Sequence, residues 1–246
     1  MYFKDSKIHQ FFGRRRHLLS AVAFFYAMGI ISANNMVYSQ PPSWDVSVFR
    51  TINDSRSNLM DHLIGINDYS VLPMAVGLPI VFSGEGLLTK AGYTVDTGVM
   101  IGVTEASAFA LYYVMKNVIF KRPRPYATLD NVHIMHKDSA DRYSMPSGHS
   151  TAAFAIATSL TLRYPKPYVY IPAYAWAILV AYGRIYMGLH YPSDVIAGAA
   201  LGSASAIAVS LLSSQITDIR KKMLGDKLGI TLSFIPPAGI NFKLDF

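Results

Sequence analysis

From Gly183 to Asp194 the chain reads Gly-Arg-Ile-Tyr-Met-Gly-Leu-His-Tyr-Pro-Ser-Asp. That stretch carries an arginine, a histidine and a carboxylate across the end of one apolar segment and the start of the next. A guanidinium, an imidazole and a carboxylate gathered at a helix boundary point to phosphate chemistry. Pro192 suits the first position of a helix, which places His190 just outside that helix and Asp194 inside its first turn. There Asp194 is close enough to receive an imidazole N–H, and a histidine oriented in this way is a usable nucleophile.

A second cluster, Ser144-Met145-Pro146-Ser147-Gly148-His149-Ser150, runs straight into the apolar stretch Thr151 to Leu162. The unpaired N–H groups of a helix start face a bound anion there, and Gly148 lets the backbone approach closely. Upstream, Lys116 to Pro125 reads Lys-Asn-Val-Ile-Phe-Lys-Arg-Pro-Arg-Pro. It ends an apolar segment with cationic side chains and two prolines that stop the helix. Arg122 and Arg124 have the fork geometry to clamp phosphoryl oxygens, or else anchor a membrane interface.

In order and spacing, the three clusters resemble the signature of the type 2 phosphatidic acid phosphatase family, relatives of vanadium haloperoxidases and bacterial acid phosphatases. The resemblance covers roughly Lys116 to Gly198. Arg184, His190 and Asp194 match its third motif, and Pro146 to His149 its second. In the first motif six residues separate a lysine from an Arg-Pro pair. Here seven separate Lys116 from Arg124, and five separate it from Arg122. One extra residue turns a side chain by about 100° on a helix, so either the lysine arm reaches round or a helix irregularity absorbs it. Gly183 stands where the family usually has serine.

The resemblance implies a metal-independent phosphatase with His190 as nucleophile, Asp194 holding its ring and His149 protonating the leaving oxygen. Lys116, Arg122 or Arg124, Ser147, Gly148 and Arg184 would hold the phosphate. No cofactor is expected. The alternatives are a vanadium-dependent haloperoxidase using the same pocket, a soluble periplasmic acid phosphatase, and, from another class, a non-catalytic membrane binding protein. The expected partners are a phosphorylated lipid and the membrane.

The elements that must position these residues are apolar. The chain is 52% hydrophobic and only 15% charged, which points to a membrane protein. Apolar segments run over 18–31, 71–88, 97–115, 149–162, 168–187 and 195–212. The last two are the clearest spans, and the others are short against the ~20 residues a crossing needs. The fold expected is all-α, a membrane-embedded bundle of five or six apolar helices. Six crossings put Arg14, Lys90, Arg163 to Lys166 and Arg220 to Lys222 on one side, cytoplasmic by the positive-inside rule. All three clusters then share the opposite side, which predicts a bacterial inner-membrane protein with a periplasmic site. If the N-terminal segment is instead a cleaved signal, the protein is periplasmic.

Residues 1–40 are accordingly an anchor or signal peptide, 41–222 the phosphatase-like domain and 223–246 a tail. Period-two alternation around Pro236-Pro237-Ala238-Gly239 reads as a small β-hairpin. The net charge of +7 is dispersed among helix ends, with no nucleic-acid module, so anionic lipid explains it better. The absence of cysteine excludes disulfides and thiolate metal sites. His133 and His136 have zinc-like spacing but lack further ligands, and no metal is expected. Glu105, inside an apolar segment, serves either function or a hydrogen bond to a neighbouring helix.

Overall fold

The structure is a computed structural model that describes residues 43–135, 142–224, 229–235 and 239–245. The N-terminal apolar segment and His136 lie outside the described residues. Among the described residues nine helices follow in order: α1 (Ser43–Asn53), α2 (Asn58–Tyr69), α3 (Val71–Thr89), α4 (Gly92–Val114), α5 (Pro125–Thr128), α6 (Gly148–Arg163), α7 (Pro167–Tyr186), α8 (Pro192–Leu211) and α9 (Ser213–Leu224). A π-helical segment, Met115–Phe120, prolongs α4. β1 (Gly229–Ile235) and β2 (Gly239–Asp245) pair antiparallel, from Gly229 opposite Asp245 to Ile235 opposite Gly239.

Proline opens α5, α7 and α8, where a missing N–H costs nothing because first-turn donors have no intrahelical partner. Helices α2 and α3 are nearly continuous. Ser70 joins them, and its hydroxyl accepts from Trp176 Nε1 of α7 at 2.9 Å.

Helix α6 is central and packs on α3, α4, α7 and α8, with Ala153, Ala155, Ile156 and Ala157 fully buried. Its approach to α8 depends on two glycines. A Cβ at Gly198 would stand 2.5 Å from the Ser147 carbonyl, and one at Gly202 would collide with the Thr151 carbonyl. Small residues at this seam let two backbones touch, as in bundles whose surroundings supply no hydrophobic drive.

The outer faces carry the large apolar side chains. Leu72, Ile80 and Val81 of α3, Phe109 of α4, Ile178 of α7 and Ile196 of α8 are all exposed. Such a belt is a poor surface for water and a good one for lipid tails. Among the described residues three helical stretches are long and apolar enough to cross a membrane: Asn58–Thr89, Gly92–Phe120 and Pro192–Leu211. The chain is thus an all-helical membrane protein in its bundle.

Segment 168–187 folds as α7, and its five tyrosines and Arg184 leave it outside the three most apolar stretches. Segment 149–162 forms α6, 16 residues long and central, so its apolar side chains meet protein. The π segment answers the spacing question of the first cluster. Lys121 N bonds to Lys116 O at 3.2 Å, five residues back, so the wider turn takes up one residue.

Candidate active site

Helix α8 starts as the sequence predicts. Pro192 is its first residue, Tyr191 its cap, and the Asp194 carboxylate accepts from Tyr191 N at 2.8 Å. His190 therefore stands immediately before the cap. Gly188, at φ +78°, turns the chain out of α7, and a Cβ there would lie 2.5 Å from the His133 carbonyl. The turn closes on Arg184, whose carbonyl accepts from the backbone N–H of both Leu189 and His190 at 3.2 Å.

His190 is 1% exposed. Its Nε2 lies 3.4 Å from Nη1 of Arg124. Its Nδ1 is 3.7 Å from Asp194 Oδ2 and makes no hydrogen bond. The expected imidazole-to-Asp194 bond is therefore not formed, because the carboxylate already serves Tyr191 N and, through Oδ1, Arg122 at 2.8 Å. Closing by about 0.8 Å would make it, as catalytic hydrogen bonds commonly do once substrate is present. Burial above all, then the charges of Arg124, Arg184, Lys116 and His149, hold His190 well below the usual histidine range. The ring is neutral at neutral pH, the state in which a ring nitrogen can attack.

The two arginines of the first cluster have different surroundings. Arg122 donates to Asp45 Oδ2 at 2.7 Å, to Asp194 Oδ1 at 2.8 Å and to Ser193 Oγ at 2.6 Å. Its guanidinium also lies 4.2 Å over the Tyr191 ring. Arg124, 1% exposed, donates to the Leu189 carbonyl at 3.0 Å and faces His190. Lys116, equally buried, donates to the Tyr112 hydroxyl at 3.4 Å and adds its charge to the field on His190.

Ser147 caps α6, its hydroxyl accepting from Ser150 N at 3.4 Å. Ser147 N donates to the Asp194 carbonyl at 3.0 Å, which joins the second cluster directly to the third. Gly148 and His149 open the first turn, and the half-exposed His149 lines a cleft of about 260 Å³ between α3, α4 and α6. Arg184 donates from Nη1 to Asp68 Oδ1 at 2.7 Å, and His149 Nε2 is 3.7 Å from the same oxygen. Gly183, the departure from the family serine, has Ile64 in the space a Cβ would enter, at 3.0 Å.

Sequence reasoning missed Asp45, Asp68 and Ser193. Asp45, fully buried on α1, accepts from Arg122 and from both Ser193 N and Ser193 Oγ. Asp68 on α2 links Arg184 to His149. The signal available was charge balance, because buried cations require counter-ions, and Asp68 lies at the edge of the apolar run starting at Val71. Among the described residues four cations, Lys116, Arg122, Arg124 and Arg184, gather with three carboxylates, Asp45, Asp68 and Asp194. Such a site attracts an anion. Among the described residues no cluster of three or more His, Asp or Glu could hold a metal ion. The backbone of His133 is instead paired with the Asn53 side chain.

Known proteins are similar to this chain. A lipid A 1-phosphatase of Rhizobium etli is 30% identical over 172 residues, 61% of this chain and 68% of that protein. An undecaprenyl-diphosphatase of Sulfolobus acidocaldarius is 36% identical over 119 residues, 47% of this chain and only 55% of that relative's length. The crystal structure of Aquifex aeolicus LpxE superposes with a TM-score of 0.53 at 26% identity, over 71% of this chain and 97% of that one. The PAP2 superfamily model matches residues 97–218, which hold all three clusters. With the motifs, the helical frame and the extended match to the Rhizobium protein in agreement, the chain belongs to the PAP2 superfamily.

Proposed function

We propose that this protein hydrolyses phosphate from a lipid phosphomonoester or pyrophosphate through a phosphohistidine on His190. The observation that carries the reading is a neutral, buried imidazole whose Nε2 faces Arg124 and which feels the charges of Arg184 and Lys116. The ring nitrogen attacks phosphorus, the P–O bond to the lipid breaks, and His149 gives its proton to the leaving oxygen. Water then attacks phosphorus, His149 takes the water's proton, the P–N bond breaks and phosphate departs. Arg124, Lys116, Ser147, the Gly148 backbone and Arg184 hold the equatorial oxygens, where positioned donors stabilise the transition state most. Asp194 steadies the ring and its charge. Arg122, bound to Asp45 and Asp194, braces the site from behind. The relatives named as lipid A phosphatase and undecaprenyl-diphosphatase support a lipid substrate.

In this reading residues 1–40 are an anchor or signal peptide, 41–222 the catalytic domain and 223–246 a tail ending in a hairpin. Six crossings place the site on the periplasmic face of a bacterial inner membrane. In support, Lys90, Arg163 and Arg220 lie at helix ends away from the His190 cluster, as the positive-inside rule requires. The deciding experiment incubates purified protein with phosphorus-labelled phosphatidic acid and undecaprenyl diphosphate in the presence of EDTA, then quenches it in alkali. Label on His190 and release of phosphate are expected. Label on another residue, or no release from any lipid phosphate, overturns the assignment.

A further inference from the structure

Glu105 takes no part in the mechanism above, yet it lines the same cleft as His149. Its Oε1 is buried and has no hydrogen-bond partner, so the neighbouring-helix bond that sequence allowed is not made. Tyr112 and Thr151 also border the cleft, and its remaining walls are apolar, with Leu72 and Ala75 of α3, Ala108 and Phe109 of α4 and Ala152 of α6. Leu72 and Phe109 are also exposed on the outer surface, so the cleft meets the lipid-facing belt.

The direction of reaction decides what enters. His190 is not among the residues lining the cleft, whereas His149, which protonates the leaving oxygen, is. The group that departs therefore lies along the cleft, from His149 towards the middle of the bundle. Glu105 and Tyr112 are seven residues apart on one face of α4, which sets the carboxyl about 10 Å farther in than Tyr112. A carboxyl in apolar surroundings without a partner is costly, and a ligand that bonds to it is favoured. A hydroxyl or secondary amide both donates and accepts, so either one satisfies the group in either ionisation state. An ester only accepts, and an isoprenoid chain offers nothing.

We propose that Glu105 is a specificity residue that reads an amide or hydroxyl on the leaving-group side of the lipid, about 10 Å farther into the bundle than Tyr112. The preferred substrate is thus a phosphorylated lipid with an amide-linked or hydroxylated acyl chain, ahead of ester-linked glycerolipids and ahead of isoprenoid diphosphates. This rests on the phosphatase reading and narrows its substrate class.

The test compares three probes in detergent, an N-(3-hydroxyacyl)glucosamine 1-phosphate, dioleoyl phosphatidic acid and farnesyl diphosphate, with p-nitrophenyl phosphate as a chainless control. Glu105→Leu is expected to lower kcat/KM at least tenfold on the amide lipid while changing farnesyl diphosphate and the control less than twofold. Glu105→Gln, which keeps a donor and an acceptor, is expected to retain activity on the amide lipid within threefold. An equal loss on all probes, or no loss on the amide lipid, overturns the inference and leaves the phosphatase reading intact. A wild-type protein inert towards every probe overturns both.

Discussion

Among the described residues basic side chains gather at two places, and their surroundings differ. Where α3 gives way to α4, Arg163 lies 3.9 Å over the Tyr93 ring and donates to Thr97 Oγ1 and Tyr93 O, each at 3.0 Å. Arg220 pairs with Asp96 at 3.0 Å. Each cation there has its own local partners. Around His190 the cations are packed out of water among three carboxylates. The contrast lies in burial rather than in residue type. Burial strengthens each charge and its pull on an anion.

The sharpest way to break that contrast is His190→Ala. Turnover of a lipid phosphate is expected to fall at least about 10⁴-fold with the fold retained, checked by phosphate release and thermal melting. Arg163→Ala, in the other cluster, should leave kcat within about twofold, and comparable losses from both would remove the distinction. Next in size is the pair of arginines. Arg124→Ala should cost about 10²–10³ in kcat with little change in Tm, since it withdraws a donor from the reacting phosphate. Arg122→Ala should instead lower stability by about 3–5 kcal/mol, because Asp45 and Asp194 are left buried without their partner. Denaturation midpoints beside kcat separate the two.

A smaller effect follows from protonation. Burial and the surrounding cations hold His190 below its ordinary value of 6.5. The unfolded chain accepts a proton there that the folded chain refuses, so His190 destabilises the fold as pH drops below about 6.5 and not above it. Melting curves from pH 7.5 to pH 5 should show wild type losing more Tm than His190→Ala, and parallel curves would place the proton elsewhere. The smallest expected change is Arg220→Ala, about 1–2 kcal/mol for loss of one partly buried pair, with kcat untouched.

Much of the site could be read from one chain because its motifs are local. The Pro192 start of α8, with His190 just outside it and Asp194 in its first turn, is decided within a few residues, so sequence predicted it and the helix bears it out. What sequence missed lies far away in the chain. Asp45 meets Ser193 across 148 positions and Asp68 meets Arg184 across 116, and no periodicity records such pairs.

By itself, then, the sequence determined the family motifs, the helix starts that carry them, and the apolar segments that hold those starts together. Only the tertiary structure decided which arginine faces His190, which carboxylates answer the buried cations, and how a π turn brings Lys116 into register. The physical reason is range. Caps and turns are settled by neighbours in the chain, whereas charge balance in a low-dielectric interior is settled by whatever helices are packed alongside.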